Sequence, residues 1–344
     1  MATVLDERIT LRYGAGGQAM RALIRDVLTD GLVRDEESGA IGLAAMDDGA
    51  ALRIGNQWLV VTTDSHVIQP VFFPGGDIGR LAVSGAVNDL AVMGATDVLA
   101  LTCAVIIEEG FARDDLVRIQ RSIRRACDES GAAILTGDTK VMGKGELDGI
   151  ILNTTGIALT DRVVPDSGLR AGDVLIITGT IGDHGMAVMA RRHGLALDAE
   201  LESDVAPINS LIRAALDSAP GAVIAMKDPT RGGVASALHE MAEKSRVGIV
   251  VDEQAVPVAE TVRAAAELLG IDPLHVANEG KALLGVRPEA VDAVLTALRA
   301  HRQGRDAMVI GRCVGERVGS VVLDTGFGRR LVTEPDGELL PRIC

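Results

Sequence analysis

A chain of 344 residues is longer than one hydrophobic core usually serves, so two domains are expected, and 47% hydrophobic against 24% charged residues fits a folded, soluble protein. A formal net charge of -14 repels a phosphate backbone and 2% aromatic residues leave little for base stacking, which excludes nucleic acid as a partner. No run approaches about 18 uninterrupted apolar residues, and the four cysteines (Cys103, Cys127, Cys313, Cys344) show no CxxC spacing; neither a membrane span nor a disulfide framework is expected, and the reducing cytoplasm is.

Tyr13-Gly-Ala-Gly-Gly17 precedes Met20 to Leu32, whose apolar positions recur at helical spacing, so it reads as a glycine loop entering a helix. Gly14, Gly16 and Ala19 fit GxGxx(G/A), but Arg12 interrupts the apolar strand that a dinucleotide fold needs before them, which favours a loop that covers phosphates. Gln57 to Thr63 is rich in strand formers, Asp77 to Gly94 reads as a helix of small residues, and Asp97 to Ile107 as a buried strand. Arg113 to Ser130 has helical spacing, and Ala132 to Thr136 and Gly149 to Leu159 read as strands.

Thr160 to Gly172, with a proline, glycines and several charges, reads as a linker, which divides a first domain (1–160) from a second (161–325). Asp173 to Gly179 opens the second domain as a strand, and Val234 to Lys244 is a helix with Thr230 as its expected N-cap. The strand–helix alternation is too irregular for a barrel, so the expected class is α+β, with sheet-and-helix sandwich domains. The last stretch, 326–344, mixes glycine, proline and charge and is expected to be a mobile tail ending in Cys344.

The commonest ATP signature, GxxxxGK[ST], is absent; the text from Gly137 to Gly145 has the wrong spacing. Carboxylates embedded in apolar text carry more information: Asp47 and Asp48 in AAMDDGAAL, Asp64 in VVTTDSHV, Asp89 in SGAVNDLAVMGA and Asp138 in ILTGDTKVMG. Any one of them is ordinarily a helix cap or turn residue. Together they suit Mg2+ ions held against a triphosphate, because charges flanked by residues that seek burial are costly unless paired or metal-bound. Lys140 could neutralise phosphate or move a proton, while Asp228-Pro-Thr-Arg-Gly-Gly233 and Asn278-Glu-Gly-Lys281 read either as anion-binding loops or as ordinary turns.

In this order, YGAGG, DDGA, TTDSHV, SGAVNDLAVMGA, TGDTKV, DPTRGGV, NEGK and the terminal PRIC resemble the HypE family of hydrogenase maturation factors, the carbamoyl dehydratases, from Tyr13 to Cys344. The wider superfamily includes AIR synthetase, selenophosphate synthetase and thiamine monophosphate kinase. The resemblance implies a two-domain PurM-like ATP-binding fold, paired as a homodimer through the N-terminal domains, with the ATP site near that interface. ATP and Mg2+ are the implied cofactors. Nucleotide contacts are implied at Gly14, Gly16, Gly17, Asp48, Thr63, Asp64, Asn88, Asp89, Gly137 and Asp138, and metal ligands at Asp47, Asp48, Asp64, Asp89 and Asp138.

By the same resemblance, the carbamoyltransferase HypF loads a carbamoyl group on Cys344. ATP then activates its oxygen, Lys140 and Glu279 handle protons, and the resulting thiocyanate passes to an iron scaffold, HypC–HypD. Rival readings stay open. A selenophosphate synthetase usually has cysteine or selenocysteine in the glycine loop, which YGAGGQAM lacks; a small-molecule kinase or AIR synthetase has no need of Cys344; and a non-enzymatic thiol carrier or scaffold leaves the nucleotide motifs without a use.

Overall fold

A computed structural model describes residues 6–33, 40–194, 201–335 and 343–344. The first half runs α1 (Gln18–Leu23), β1 (Ala50–Ile54), β2 (Gln57–His66), a small hairpin of β3 (Phe72–Phe73) and β4 (Gly76–Asp77), α2 (Ile78–Val92), β5 (Val98–Glu108), α3 (Arg113–Ser130), β6 (Ile134–Met142) and β7 (Ile150–Thr160). Its sheet has the order β1-β2-β7-β5-β6, antiparallel except for the parallel β5–β6 pair.

The second half runs β8 (Val174–Ile177), α4 (Asp183–His193), α5 (Asn209–Ser218), β9 (Val223–Lys227), α6 (Gly233–Ser245), β10 (Gly248–Asp252), α7 (Glu260–Leu269), β11 (Leu283–Val286), α8 (Val291–Ala300), β12 (Met308–Val314), β13 (Val321–Asp324) and β14 (Arg329–Leu331). Its sheet has the order β14-β13-β10-β12-β8-β11-β9. Both halves mix helices with largely antiparallel sheet, the α+β class. Among the described residues no helix is long and apolar enough to cross a membrane.

Burial explains these elements. In β8 the side chains of Leu175 and Ile177 enter one core with α6 residues Val234, Leu238 and Met241, while Ile176 enters another with α5 residues Leu211 and Ile212. A strand covered on both faces in this way reads as an unbroken apolar run. Helix α2 is buried almost all round, from Ile78 to Val92, because it lies between the first sheet and the second half. Its small residues make room: a side chain at Gly156 of β7 would collide with Leu90 of α2. Asp77 caps it, accepting from the N–H groups of Gly79 and Arg80.

Four expectations are corrected. The helix expected from Met20 to Leu32 ends at Leu23 and continues only as a π-turn over Ile24–Leu28, since Val27, Leu28 and Leu32 find nothing to pack against and stay exposed. Strand β6 runs to Met142 instead of stopping at Thr136. Gly137 stands in mid-strand because any side chain would strike the carbonyl oxygen of Cys103 on β5. Helix α6 begins after Gly232, with no side-chain cap from Thr230. Part of the expected tail is anchored: β14 pairs with β13, and Val332 and Ile343 are buried, while 336–342 lie outside the described residues.

Candidate functional site

The pleat of β2 sends alternate side chains to opposite faces, so Thr62, Asp64 and His66 point to the α2 side and Thr63 and Ser65 to the other. His66 Nε2 is 3.1 Å from Asp64 Oδ2, and Gly85 of α2 leaves room for the pair: a Cβ there would lie 2.7 Å from the imidazole and 2.9 Å from the carboxylate. Asp89 follows Gly85 one turn later on the same helix face. Its Oδ2 is 2.6 Å from Thr62 Oγ1, which also lies 2.9 Å from the carbonyl oxygen of Asp48. One hydroxyl proton cannot serve both oxygens. A protonated Asp89 that donates to Thr62, while Thr62 donates to Asp48, satisfies all three groups.

The electrostatics agree with that proton. Burial first, then Asp228, Asp64 and Asp48, push the Asp89 carboxyl well above the usual range. Asp228 and Glu279 are pushed the same way, each chiefly by burial, with Asp48 next for Asp228 and Asp64 next for Glu279. Asp64 is the exception: burial opposes its charge, but His66 and Arg231 outweigh burial and hold it below the ordinary range. Asp48, Asp64, Asp89, Asp228 and Glu279 thus form one acidic cluster between the halves. Among the described residues, Asp48 Oδ2 and Glu279 Oε1 are buried with no hydrogen-bond partner.

Next to the cluster lies a buried network of internal cations. Lys227 Nζ is 2.5 Å from Asp48, 3.3 Å from Glu240 and 3.5 Å from Asp166, and Lys244 Nζ is 2.6 Å from Asp166. Asp47 accepts from the backbone N–H groups of Asp48 and Asp166, and burial, then Asp166 and Asp48, push its carboxyl up to about 7. Among the described residues no three His, Cys, Asp or Glu side chains are gathered closely enough to form a finished metal site. The orphaned oxygens and the raised carboxyls are what a cation would relieve, so the donor set fits Mg2+.

The glycine loop closes over this region. Gly14 ends a 3-10 turn begun at Leu11. Gly16, at φ 79°, lies against the carbonyl of Arg231, and Gly17 against that of Pro335; a side chain at either would collide. Arg21 of α1 pairs with Glu334 at 2.7 Å and Glu240 at 3.4 Å. The pocket beneath, of about 160 Å³, is lined by Gly16, Met46, Asp48, Lys227, Asp228 and Arg231, among others.

Other expected site residues stand elsewhere. Thr63 is on the open face of the sheet, in contact with Asn153 and Thr155. Asn88 is a structural clip: its amide donates to the carbonyls of Ala206 and Glu279 and accepts from Ile208 N–H, so both donor protons are committed to the second half. Asp138 and Lys140 lie on the exposed edge strand β6, in register with Ala104 and Ile106 of β5. The register Asp138–Ala104–Asn153–Ser65 puts Asp138 on the open face, three strands and roughly 14 Å from β2. A single chain therefore does not bring Asp138 or Lys140 to the acidic cluster. Cys344 is half-buried, and its carbonyl oxygen accepts from Val67 N–H at 3.3 Å, one residue beyond His66.

Models of the AIR synthase related protein match both halves, the N-terminal domain over residues 46–160 and the C-terminal domain over 170–324. The carbamoyl dehydratase HypE of Rhizobium leguminosarum bv. viciae is 44% identical over 344 residues, covering 99% of this chain and 96% of its own. The chain belongs to the HypE family of carbamoyl dehydratases. It is thereby an enzyme of hydrogenase maturation with the two-domain AIR-synthase-related fold. A crystal structure of a HypE–HypF complex matches it with a TM-score of 0.84 at 42% identity, over 91% of this chain and 100% of that one. One of HypE in complex with ATP matches with a TM-score of 0.80 at 39% identity, over 98% of this chain and 100% of that one.

Four residues of the candidate site carry no role of their own in the sequence reading: His66, Lys227, Asp228 and Arg231. The i, i+2 spacing in TTDSHV was signal enough for His66 beside Asp64. Asp228 stands in DPTRGG, which reads either as an anion-binding loop or as an ordinary turn, and Lys227, just before it, has no pattern of its own.

Proposed function

We propose that the chain uses ATP to dehydrate a carbamoyl group carried on Cys344, leaving a thiocyanate whose cyanide passes to the hydrogenase iron. The observation that carries this reading is the docked end of the tail: Cys344 rests against Val67, beside the His66–Asp64 pair of the acidic cluster. A nucleophile held there needs no separate substrate pocket, because tethering supplies effective concentration.

Oxide is a poor leaving group from a carbamoyl carbon, and transfer of phosphate from ATP to that oxygen supplies a good one. Mg2+ would be held by Asp48, Asp64, Asp89 and Asp228, where it neutralises phosphate charge. Asp47 shapes this set from behind, through its bonds to the Asp48 and Asp166 amides. The glycines at 14, 16 and 17 form the phosphate cover. Glu279, whose carboxyl is pushed well above the ordinary range chiefly by burial, would hold and return a proton at the carbamoyl group.

Lys140, Asp138 and Gly137 enter this reading from a second copy of the chain. The open face of the first sheet presents half-buried Val61, Ile106, Ile151 and Ile157, and β6 exposes Leu135 and Val141, a surface suited to a homodimer through domain 1–160. The second domain is 161–325, and 326–344 carries Cys344 between partners in the cytoplasm: HypF as carbamoyl donor, supported by the complex that a relative forms, and HypC–HypD as acceptor.

The test is a mass spectrum. Carbamoyl transfer should add mass to the peptide holding Cys344, and ATP with Mg2+ should then remove one water from it. Modification of Cys103, Cys127 or Cys313 in its place overturns the proposal.

A further inference from the structure

Three contacts hold the end of the tail at the seam between the halves. The carbonyl oxygen of Ile343 is 2.6 Å from His184 Nε2, that of Cys344 accepts from Val67 N–H, and the Ile343 side chain is buried among Ile68, Phe73 and Ile78 of the first half and Met186 and Val262 of the second. A carbonyl only accepts, so Nε2 carries the ring proton and Nδ1 of the neutral ring accepts. The donor is on hand: Ser203 Oγ is 2.8 Å from Nδ1, and Ser203 Oγ itself accepts from Val205 N–H at 3.1 Å. Ser203 N–H donates to Pro74, and Phe73 meets the imidazole edge-on at 5.3 Å between centroids. The ring is fully buried, which disfavours the imidazolium and keeps one tautomer.

We propose that His184 is the positioning residue of the tail, latching it inward through the Ile343 carbonyl so that Cys344 is presented to the acidic cluster. The proposal rests on the reading of Cys344 as the carried nucleophile. The three contacts are made by backbone and the Ile343 side chain, and the half-buried Cys344 side chain packs at the edge of the same core, so a thiol, a carbamoyl or a cyano group on the sulfur can be carried without breaking those three. One dock thus serves the tail before and after dehydration, and His184 acts on geometry without touching the reacting atoms.

The test uses the full chain with His184→Leu, which removes the donor, and His184→Gln, which restores an N–H of similar reach. Iodoacetamide labelling of Cys344 is followed by mass on the peptide 339–344, released by cleavage after Glu338. His184→Leu should label about tenfold faster, the scale of one lost buried hydrogen bond, and His184→Gln at close to the wild-type rate. At saturating ATP, dehydration of carbamoylated protein follows the docked fraction and labelling the undocked one, so His184→Leu should slow single-turnover dehydration by less than it speeds labelling, and His184→Gln should restore both.

Unchanged labelling in folded His184→Leu overturns the latch, as does labelling of His184→Gln as fast as that of His184→Leu. Should His184→Leu not fold, Ser203→Ala, which removes the hydroxyl that fixes the tautomer, must show the faster labelling, and its absence is equally fatal. Wild-type protein that never accepts a carbamoyl group on Cys344 defeats the function reading alone, because the labelling arm still decides the latch.

Discussion

Replacing Lys227 by Met removes a buried cation from three carboxylates of similar reach but unequal need. Glu240 keeps Arg21 at 3.4 Å and Asp166 keeps Lys244 at 2.6 Å, whereas among the described residues Asp48 meets a cationic side chain only in Lys227, at 2.5 Å. Breaking a buried pair from one side costs about 3–5 kcal/mol, and with two of the three partners still compensated the low end, about 3 kcal/mol at pH 8, is expected. Asp48 is already held above the usual carboxylate range, chiefly by burial, and losing Lys227 lifts it further. A carboxyl whose folded pKa exceeds its unfolded value destabilises above that pKa and is relieved as pH falls through it. The penalty should therefore shrink as pH is lowered, read from urea midpoints at constant m-value. The double variant with Asp48→Asn should recover most of the loss. A loss below about 1 kcal/mol at pH 8, or one that does not change with pH, refutes the account of a cation that compensates Asp48.

Asp183, pushed up to about 6 from 3.8 chiefly by burial and then by Asp204, binds its proton more tightly folded than unfolded. Wild-type stability should thus fall as pH rises through that window and Asp183→Asn should lack the fall; superimposable pH profiles of thermal unfolding would contradict this. Asp89→Asn keeps a donor toward Thr62, so it should match or exceed wild-type stability at pH 8 while ATP turnover is lost; retained turnover removes Asp89 from the site. Gly85→Ala presses on both His66 and Asp64, and a loss of about 1–3 kcal/mol with a large drop in turnover is expected from unfolding and ATPase measurements. An Ala variant with both properties intact shows that the gap is slack.

Much of the fold could be read from the chain because its elements are set by local pattern. The apolar runs of β2, β5 and β7 and the spacing in α3 announce themselves, and α3 even ends on Gly131 at φ 73°. The failures have physical causes. Gly137 is in mid-strand because of a neighbour across the sheet, which local text cannot show, and Asn88 looks like any polar residue in an ATP motif until its three bonds are traced to the other half. Of the candidate site, Asp48, Asp64 and Asp89 are legible as charges placed where burial is costly, whereas Glu279 comes forward only through the family resemblance. Lys227 is not legible, since one lysine before a turn acquires meaning only from the carboxylates that the fold collects around it.

The pleat that sends Asp64 and Asp138 to opposite faces has a genetic reading. If each site draws Asp64 from one chain and Asp138 from its partner, two inactive proteins, one with each residue changed to Asn, should complement one another when refolded together. Random pairing makes about half of the dimers mixed, each with one intact site of two, so the mixture should regain roughly a quarter of wild-type turnover. Sites confined to single chains would regain none.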